Sequence, residues 1–224
     1  MKQQKNLLIC LTYQNGESMN WLYEELINYF QEEGHSYDTE LNEFRCSQLT
    51  ECPRQLYYQK KYPVEPTEYL KGIFTVGHIF HKTIQLLLLR KYPKEYQIEV
   101  PVEYKDNETD IVIVGHADIV SDDKVVDIKT VSRLPTDAYY KHHLQVNTYA
   151  HLLDRQYYGI LYVEKNTLRM QYFEYRTSTE LFNYVLGICR EVYRCLLVEK
   201  LPDIKLSNYC KWCPYRQLCA ENKL

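Results

Sequence analysis

The sequence predicts an α/β fold in which a mixed sheet is flanked by helices. The apolar pattern runs at helical spacing up to about residue 91, turns strand-like over residues 97–131, and then alternates between the two. Turn residues, Ser121-Asp122-Asp123 and Lys165-Asn166, separate runs rich in β-branched and aromatic side chains. A chain of 224 residues, 45% hydrophobic and 25% charged, is long enough for one well-cored domain or a core with a small lobe.

A weak apolar strand over Asn6–Thr12 and a helix over about Asn20–Glu33 come first. Gly34 breaks that pattern. A second helix starts after Ser47 or Thr50, with Pro53 in its first turn, where the missing N–H costs nothing. A longer helix spans about Thr67–Lys91 and stops before Pro93. Strands follow at Gln97–Tyr104, Asp110–Val120 and Lys124–Val131. Pro135-Thr136-Asp137 opens a helix that reaches about Asp154. Tyr157–Glu164 and Thr167–Tyr175 form a hairpin, and Thr177–Lys200 is the last long helix before an irregular, cysteine-rich tail. The expected division is a helical N-terminal segment 1–66, a core 67–200 and a tail 201–224.

Bulk properties exclude several classes. The net charge of −3 marks no general polyanion binder, so any nucleic-acid contact needs a local basic surface. Neither the apolar run Leu7–Leu11 nor Leu86–Leu89 reads as a secretory core or a membrane span, which makes the expected location cytoplasmic, with no membrane partner. In that compartment eight cysteines point to metal or redox chemistry rather than a disulfide framework. The 23 tyrosines are expected mainly at half-buried positions.

Chemistry concentrates in Gly115-His-Ala-Asp118 and Asp127-Ile-Lys129. An antiparallel hairpin turning between Asp122 and Asp123 sets Asp118 opposite Asp127, with Cβ atoms about 5 Å apart. Two carboxylates so close repel unless a cation lies between them or one is protonated. Hard oxygen ligands of this kind suit Mg²⁺ or Mn²⁺. Lys129, two residues beyond Asp127, shares its face, where an ammonium can orient a water and stabilise phosphate charge. The competing reading is an ordinary hairpin with cross-strand charge pairs.

Two helical pairs add to this. Gly77 and His81 lie four apart on the long helix, so close backbone approach at Gly77 brings an imidazole to the neighbouring element. Gln145 and Tyr149 share a face of the following helix and can hydrogen-bond the lysine, a water or a phosphate. Each pair alone is routine.

In the tail, Cys210-x-x-Cys213 is followed by Cys219, and three thiolates leave a four-cysteine site one ligand short. Cys10, Cys46, Cys52, Cys189 and Cys195 are the candidates for the fourth. Cys46 and Cys52, six apart on a helix, point in different directions and are not both ligands; Cys189 and Cys195 fit small core positions. A zinc site is the rival to iron–sulfur, but zinc sites are more often two close pairs than one plus three.

Taken in order, Gly77-x-x-x-His81, Gly115-x-x-Asp118, Asp127-x-Lys129 and Gln145-x-x-x-Tyr149 resemble, motif for motif, the RecB-type branch of the PD-(D/E)XK nuclease superfamily. The catalytic part of the likeness covers about residues 75–150. It implies a PD-(D/E)XK restriction-endonuclease-like core with His81, Asp118, Asp127 and the Ile128 carbonyl as ligands of Mn²⁺ or Mg²⁺. Lys129 takes the place of the catalytic lysine, with Gln145 and Tyr149 beside it; Asp127 stands where many relatives have glutamate.

The likeness extends over about residues 46–220 to the RecB-like nucleases of CRISPR systems and AddB-type helicase–nucleases. These carry a lone cysteine before the core and a Cys-x₂-Cys-x₅-Cys trio after it. It implies that Cys52, Cys210, Cys213 and Cys219 hold a 4Fe-4S cluster stapling both chain ends into one helical lobe.

The activity implied is metal-dependent hydrolysis of single-stranded DNA, 5′ to 3′ as an exonuclease and in some relatives as an endonuclease. The setting implied is CRISPR adaptation beside integrase proteins, or processing of virus DNA. Arg54–Tyr62 interleaves basic and aromatic residues and offers either a strand-binding surface or a helix with buried tyrosines. A catalytically silent DNA-binding or adaptor protein keeps the fold but leaves the catalytic set unused. An iron–sulfur redox sensor leaves the ordered His, Asp, Asp-x-Lys and Gln-x-x-x-Tyr set unexplained. The sequence leaves the oligomeric state open.

Overall fold

β-branched runs and amphipathic helices alternate along residues 40–221, the part of the chain that this computed structural model describes. The elements are β1 (Glu43–Arg45), α1 (Pro53–Lys61), α2 (Glu68–Lys91), β2 (Gln97–Lys105), β3 (Val112–Val120), β4 (Lys124–Val131), α3 (Tyr140–Leu152), β5 (Tyr157–Glu164), β6 (Met170–Arg176), α4 (Thr179–Leu197) and α5 (Arg216–Glu221). The strand and helix expected at residues 6–33 lie outside the described residues. Of the described residues, 40–65 and 77–221 group as one compact unit. Pro66–Val76 belong to a second, whose described part is the start of α2.

All the strands among the described residues join one mixed sheet. β3 is its hub, antiparallel to β2 along its whole length and parallel to β1 through Glu43 to Val112. β4 pairs with β3 only at Ile119–Val126 and Val120–Val125, in the register expected from a turn at Asp122 and Asp123. β4 then runs parallel to β5 along its full length, and β5 is antiparallel to β6. With β2 along one side of β3, β1 and β4 share the other, so β3 and β4 part just after their turn. That fork in the sheet positions the site.

Helices cover both faces. From α2, Phe80, Ile84 and Leu88 pack on Ile119, Ile128 and Val163. Leu144, Val146 and Ala150 of α3 and Phe182, Val185 and Val192 of α4 belong to the larger core with Ile113, Val125 and Ile160. Burying each such side chain contributes about 1.5–3 kcal/mol. The stretch Tyr69–Lys91 reaches the length and mean hydropathy, 1.2, of a membrane-crossing helix. Part of that apolarity is the face turned to the sheet, and the helix also carries fully buried Gln85.

Four local expectations change. Helix α3 starts at Tyr140 rather than at Pro135–Asp137, because Asp137 Oδ1 accepts from Ala138 N and from the Tyr175 hydroxyl. β1 falls between Gly34 and Ser47, where no element was expected; three residues are too few for a period to show. The tail is not irregular throughout, since a 3-10 turn at Asn208–Trp212 and α5 flank Cys213-Pro214-Tyr215. Cys46 sits in a 3-10 turn and Cys52 caps α1, so they share no helix.

Candidate active site

At the fork, the β3–β4 ladder ends one pair short of Asp118 and Asp127. Freed from its ladder place, the Asp118 side chain turns inward, and its Oδ2 accepts from Ile128 N at 2.7 Å. The same oxygen lies 3.2 Å from His81 Nδ1 on α2. Gly77 makes that approach possible, because a Cβ there would stand 3.1 Å from Thr130 Oγ1 of β4. His81 is held above the usual imidazole range. Burial opposes its protonation, but the hydrogen bond and charge of Asp118 outweigh it.

Asp127 and Lys129, two residues apart, share a face of β4, where Gln145 of α3 meets both. Lys129 Nζ lies 2.7 Å from Asp127 Oδ2 and donates to Gln145 Oε1 at 2.8 Å. Gln145 Nε2 is 3.5 Å from Asp127 Oδ1 and 3.1 Å from the Tyr149 hydroxyl. Burial pushes the Asp127 carboxyl well above the ordinary carboxylate range, Lys129 works against this, and Asp118 adds to it. Tyr149 is likewise pushed up, by burial first and then by the neighbouring Cys46 and Asp127. Its ring covers Gly115, where a Cβ would stand 2.6 Å from Tyr149 Cε1 and 3.2 Å from Cys46 Cβ. The glycines of the two Gly-containing motifs are thus fixed by close packing.

His81, Asp118, Asp127, Ile128, Lys129, Gln145 and Tyr149 therefore come together in one connected network from α2, β3, β4 and α3. A parallel β4–α3–β5 crossover puts Gln145 and Tyr149 over β4. Sequence reasoning missed Gln85 and Glu99, although Gln85 follows His81 by the same four-residue step. Gln85 Nε2 donates to Glu99 Oε1 at 2.8 Å and to the Asp118 carbonyl at 3.0 Å. Lys141 was also missed. Its ammonium is held below the usual range, by burial first and then by Lys129.

The cysteines present a different picture. Cys46 and Cys189 are fully buried, as small core residues are. Cys52, Cys210, Cys213 and Cys219 are all free thiols of intermediate exposure. The Cys213 thiol is raised by burial and then by Cys52, Cys210 and Cys219, which places the four in one neighbourhood. Cys52, Cys210 and Cys213 line a cavity of about 390 Å³ with Tyr139, Tyr140 and Trp212. Among the described residues, no three His, Cys, Asp or Glu side chains stand close enough together to clasp a metal as they are. The expected strand-binding surface at Arg54–Tyr62 is largely interior: Tyr57 and Tyr58 are buried, and Arg54 Nε donates to the Pro202 carbonyl.

No curated protein matches the sequence. Among solved structures, that of SSO0001 superposes with a TM-score of 0.65 at 20% identity, covering 88% of this chain and 96% of that one. LHK-Exo in complex with dAMP gives 0.51 at 11% identity, covering 71% and 90%. The alkaline exonuclease LHK-Exo from Laribacter hongkongensis gives 0.50 at 10% identity over the same shares. At these identities the likeness is one of fold. The family model of the PD-(D/E)XK nuclease superfamily matches residues 88–220, which include Asp118, Asp127, Lys129, Gln145 and Tyr149. The chain belongs to the PD-(D/E)XK nuclease superfamily.

Proposed function

We propose that this protein is a Mg²⁺- or Mn²⁺-dependent deoxyribonuclease that degrades single-stranded DNA 5′ to 3′ and also cuts internally. The observation that carries the reading is the convergence of two buried carboxylates, an imidazole and an ammonium at the fork of the sheet. The donor set fits a hard divalent cation. It offers two carboxylates, the Ile128 carbonyl and an imidazole nitrogen, and the Asp127 carboxyl is a charge that burial penalises and Lys129 offsets only in part. When bound, such a cation supplies charge neutralisation at the phosphate and a more acidic water.

The chain's own residues divide the remaining work. Asp118 and Asp127 with His81 hold the cation. Lys129, 2.7 Å from Asp127, orients the attacking water and stabilises charge on the scissile phosphate. Gln145 fixes the lysine through its Oε1 and ties it to Tyr149, so the ammonium has one direction.

The second part of the reading is a 4Fe-4S cluster on Cys52, Cys210, Cys213 and Cys219, in keeping with four free thiols of which Cys213 is raised in part by the other three. The division into residues 1–66, 67–200 and 201–224, with the last closing on the first through this cluster, belongs to the same reading. So do a cytoplasmic location and a role beside CRISPR integrase proteins or in virus DNA processing.

Cleavage of end-labelled single- and double-stranded DNA by anaerobically purified protein tests the activity, with Mg²⁺, Mn²⁺ or EDTA and with Lys129→Ala alongside. Metal-dependent cutting lost in the variant supports the nuclease and reads its polarity. Cutting that persists in Lys129→Ala overturns the assignment of the site.

A further inference from the structure

The registers of the sheet set three carboxylates in one row. β2 and β3 pair continuously from Gln97–Val120 to Lys105–Val112 except at one place, where Glu99 faces Asp118. On the other side of β3, the β3–β4 ladder ends at Ile119–Val126, with Asp118 and Asp127 the next residues beyond it. The register of the flanking pairs thus sets Glu99, Asp118 and Asp127 at one level across β2, β3 and β4, each where the pairing is interrupted. Like charges on neighbouring strands oppose sheet formation.

Glu99 also has φ of 50°, a left-handed backbone that a glutamate adopts at a cost. Its carboxylate is engaged by Gln85, whose Nε2 also donates to the Asp118 carbonyl. Gln85 is fully buried, yet its own Oε1 has no hydrogen-bond partner among the described residues. An orphaned acceptor on the amide that holds the Glu99 carboxylate and the Asp118 backbone lacks a donor or a cation. Small divalent cations keep water when bound, and groups accepting from that water carry affinity as direct ligands do.

Resting on the metal-dependent reading above, we propose that Glu99 is a third carboxylate of the divalent-cation centre and that Gln85 is the positioning residue that aims it. One turn of α2 then serves the centre twice: His81 meets the Asp118 side chain and Gln85 meets its backbone and Glu99.

Mn²⁺ titration of the full chain, followed by the electron paramagnetic resonance signal of the free ion, tests this without a cleavage readout. Wild type binds Mn²⁺ and Asp127→Ala loses it. Glu99→Gln, which keeps shape and removes charge, weakens binding about tenfold with an unchanged metal-free melting temperature. Gln85→Leu weakens it similarly. Glu99→Gly, which relieves the backbone, melts no lower than wild type while binding Mn²⁺ as poorly as Glu99→Gln. If Asp127→Ala loses the ion but Glu99→Gln binds it as wild type does, this inference falls and the two-aspartate site stands. If wild type binds no more Mn²⁺ than Asp127→Ala, the metal reading falls and takes this one with it.

Discussion

The fork of the sheet and the cysteine neighbourhood achieve order by different means. At the fork, hydrogen bonds and ion pairs fix His81, Asp118, Asp127, Lys129, Gln145 and Tyr149, and the elements carrying them are joined by strand pairing and a buried core. The cysteine-bearing tail rests on fewer ties. Tyr215 is buried against Tyr58 and donates to the Tyr62 carbonyl, Arg54 reaches Pro202, and Trp212 remains 84% exposed. On the reading proposed above, a site built from strands is shaped before its ion arrives, and a site built from a short tail leans on whatever its thiols bind.

Breaking the fork gives the largest expected effect. Lys129→Ala removes the group nearest Asp127 and lowers the cleavage rate about 10³-fold. Asp127→Ala does the same by removing a carboxylate of the cation centre. Both variants retain wild-type circular dichroism, because neither side chain belongs to the hydrophobic core. Single-turnover rates on labelled DNA check the first expectation; full activity in either variant removes these residues from the mechanism.

The tail responds to the opposite treatment. Cys213→Ser lowers iron content and opens residues 201–221 to limited proteolysis, while Mn²⁺ binding at the fork stays within about twofold of wild type. Iron analysis, protease mapping and Mn²⁺ titration on one preparation check this. Equal protease resistance in both proteins means that apolar contacts alone hold the tail.

What the sequence disclosed follows the same divide. The fork was legible because its signals are local. A turn at Asp122 and Asp123 sets the register of β3 and β4, and four-residue steps on α2 and α3 pair Gly77 with His81 and Gln145 with Tyr149, routine pairs that only the order of the whole set, through the family resemblance, singled out. Glu99 stayed hidden because its place depends on the β2–β3 register and on a backbone angle that no residue type announces. β1 stayed hidden because its pairing partner lies far along the chain. The delayed start of α3 stayed hidden because Tyr162, from β5, donates nothing by pattern yet accepts from Tyr139 N and meets His142 Nδ1 at 2.8 Å. The aromatic and basic run Arg54–Tyr62 left two readings open, since composition does not tell which tyrosines an amphipathic helix turns inward, and burial of Tyr57 and Tyr58 favours the second.

A smaller change sharpens the contrast by disturbing the fork without touching its polar groups. At Gly115, a methyl group meets the Tyr149 ring and Cys46 at once, and neither can retreat within the buried core. Gly115→Ala therefore costs about 1–3 kcal/mol of stability. It also pushes Tyr149 off Gln145, so kcat falls more than KM changes. Gly115→Ala paired with Tyr149→Phe separates the two effects: the smaller ring edge restores part of the stability and none of the rate.

The smallest effect lies away from both regions, in the pair that ties the β2–β3 connection to α4. Arg190 donates from Nε and NH2 to the two Asp106 oxygens at 2.9 and 2.6 Å, and its NH1 lies 2.9 Å from Glu108. The Arg190 hydrogen bonds hold the Asp106 carboxyl down to about 2, with Thr109 helping and burial opposing. A carboxyl lowered on folding stabilises the fold above its unfolded value, near 4, and gives that stability up as pH falls from there toward 2. Urea midpoints of wild type and Arg190→Ala should accordingly differ at pH 7 by a constant amount down to about pH 4 and converge below it. Convergence already at pH 6 assigns the pair no role, whereas a gap that persists at pH 2 means Arg190 stabilises by packing its stem rather than by charge.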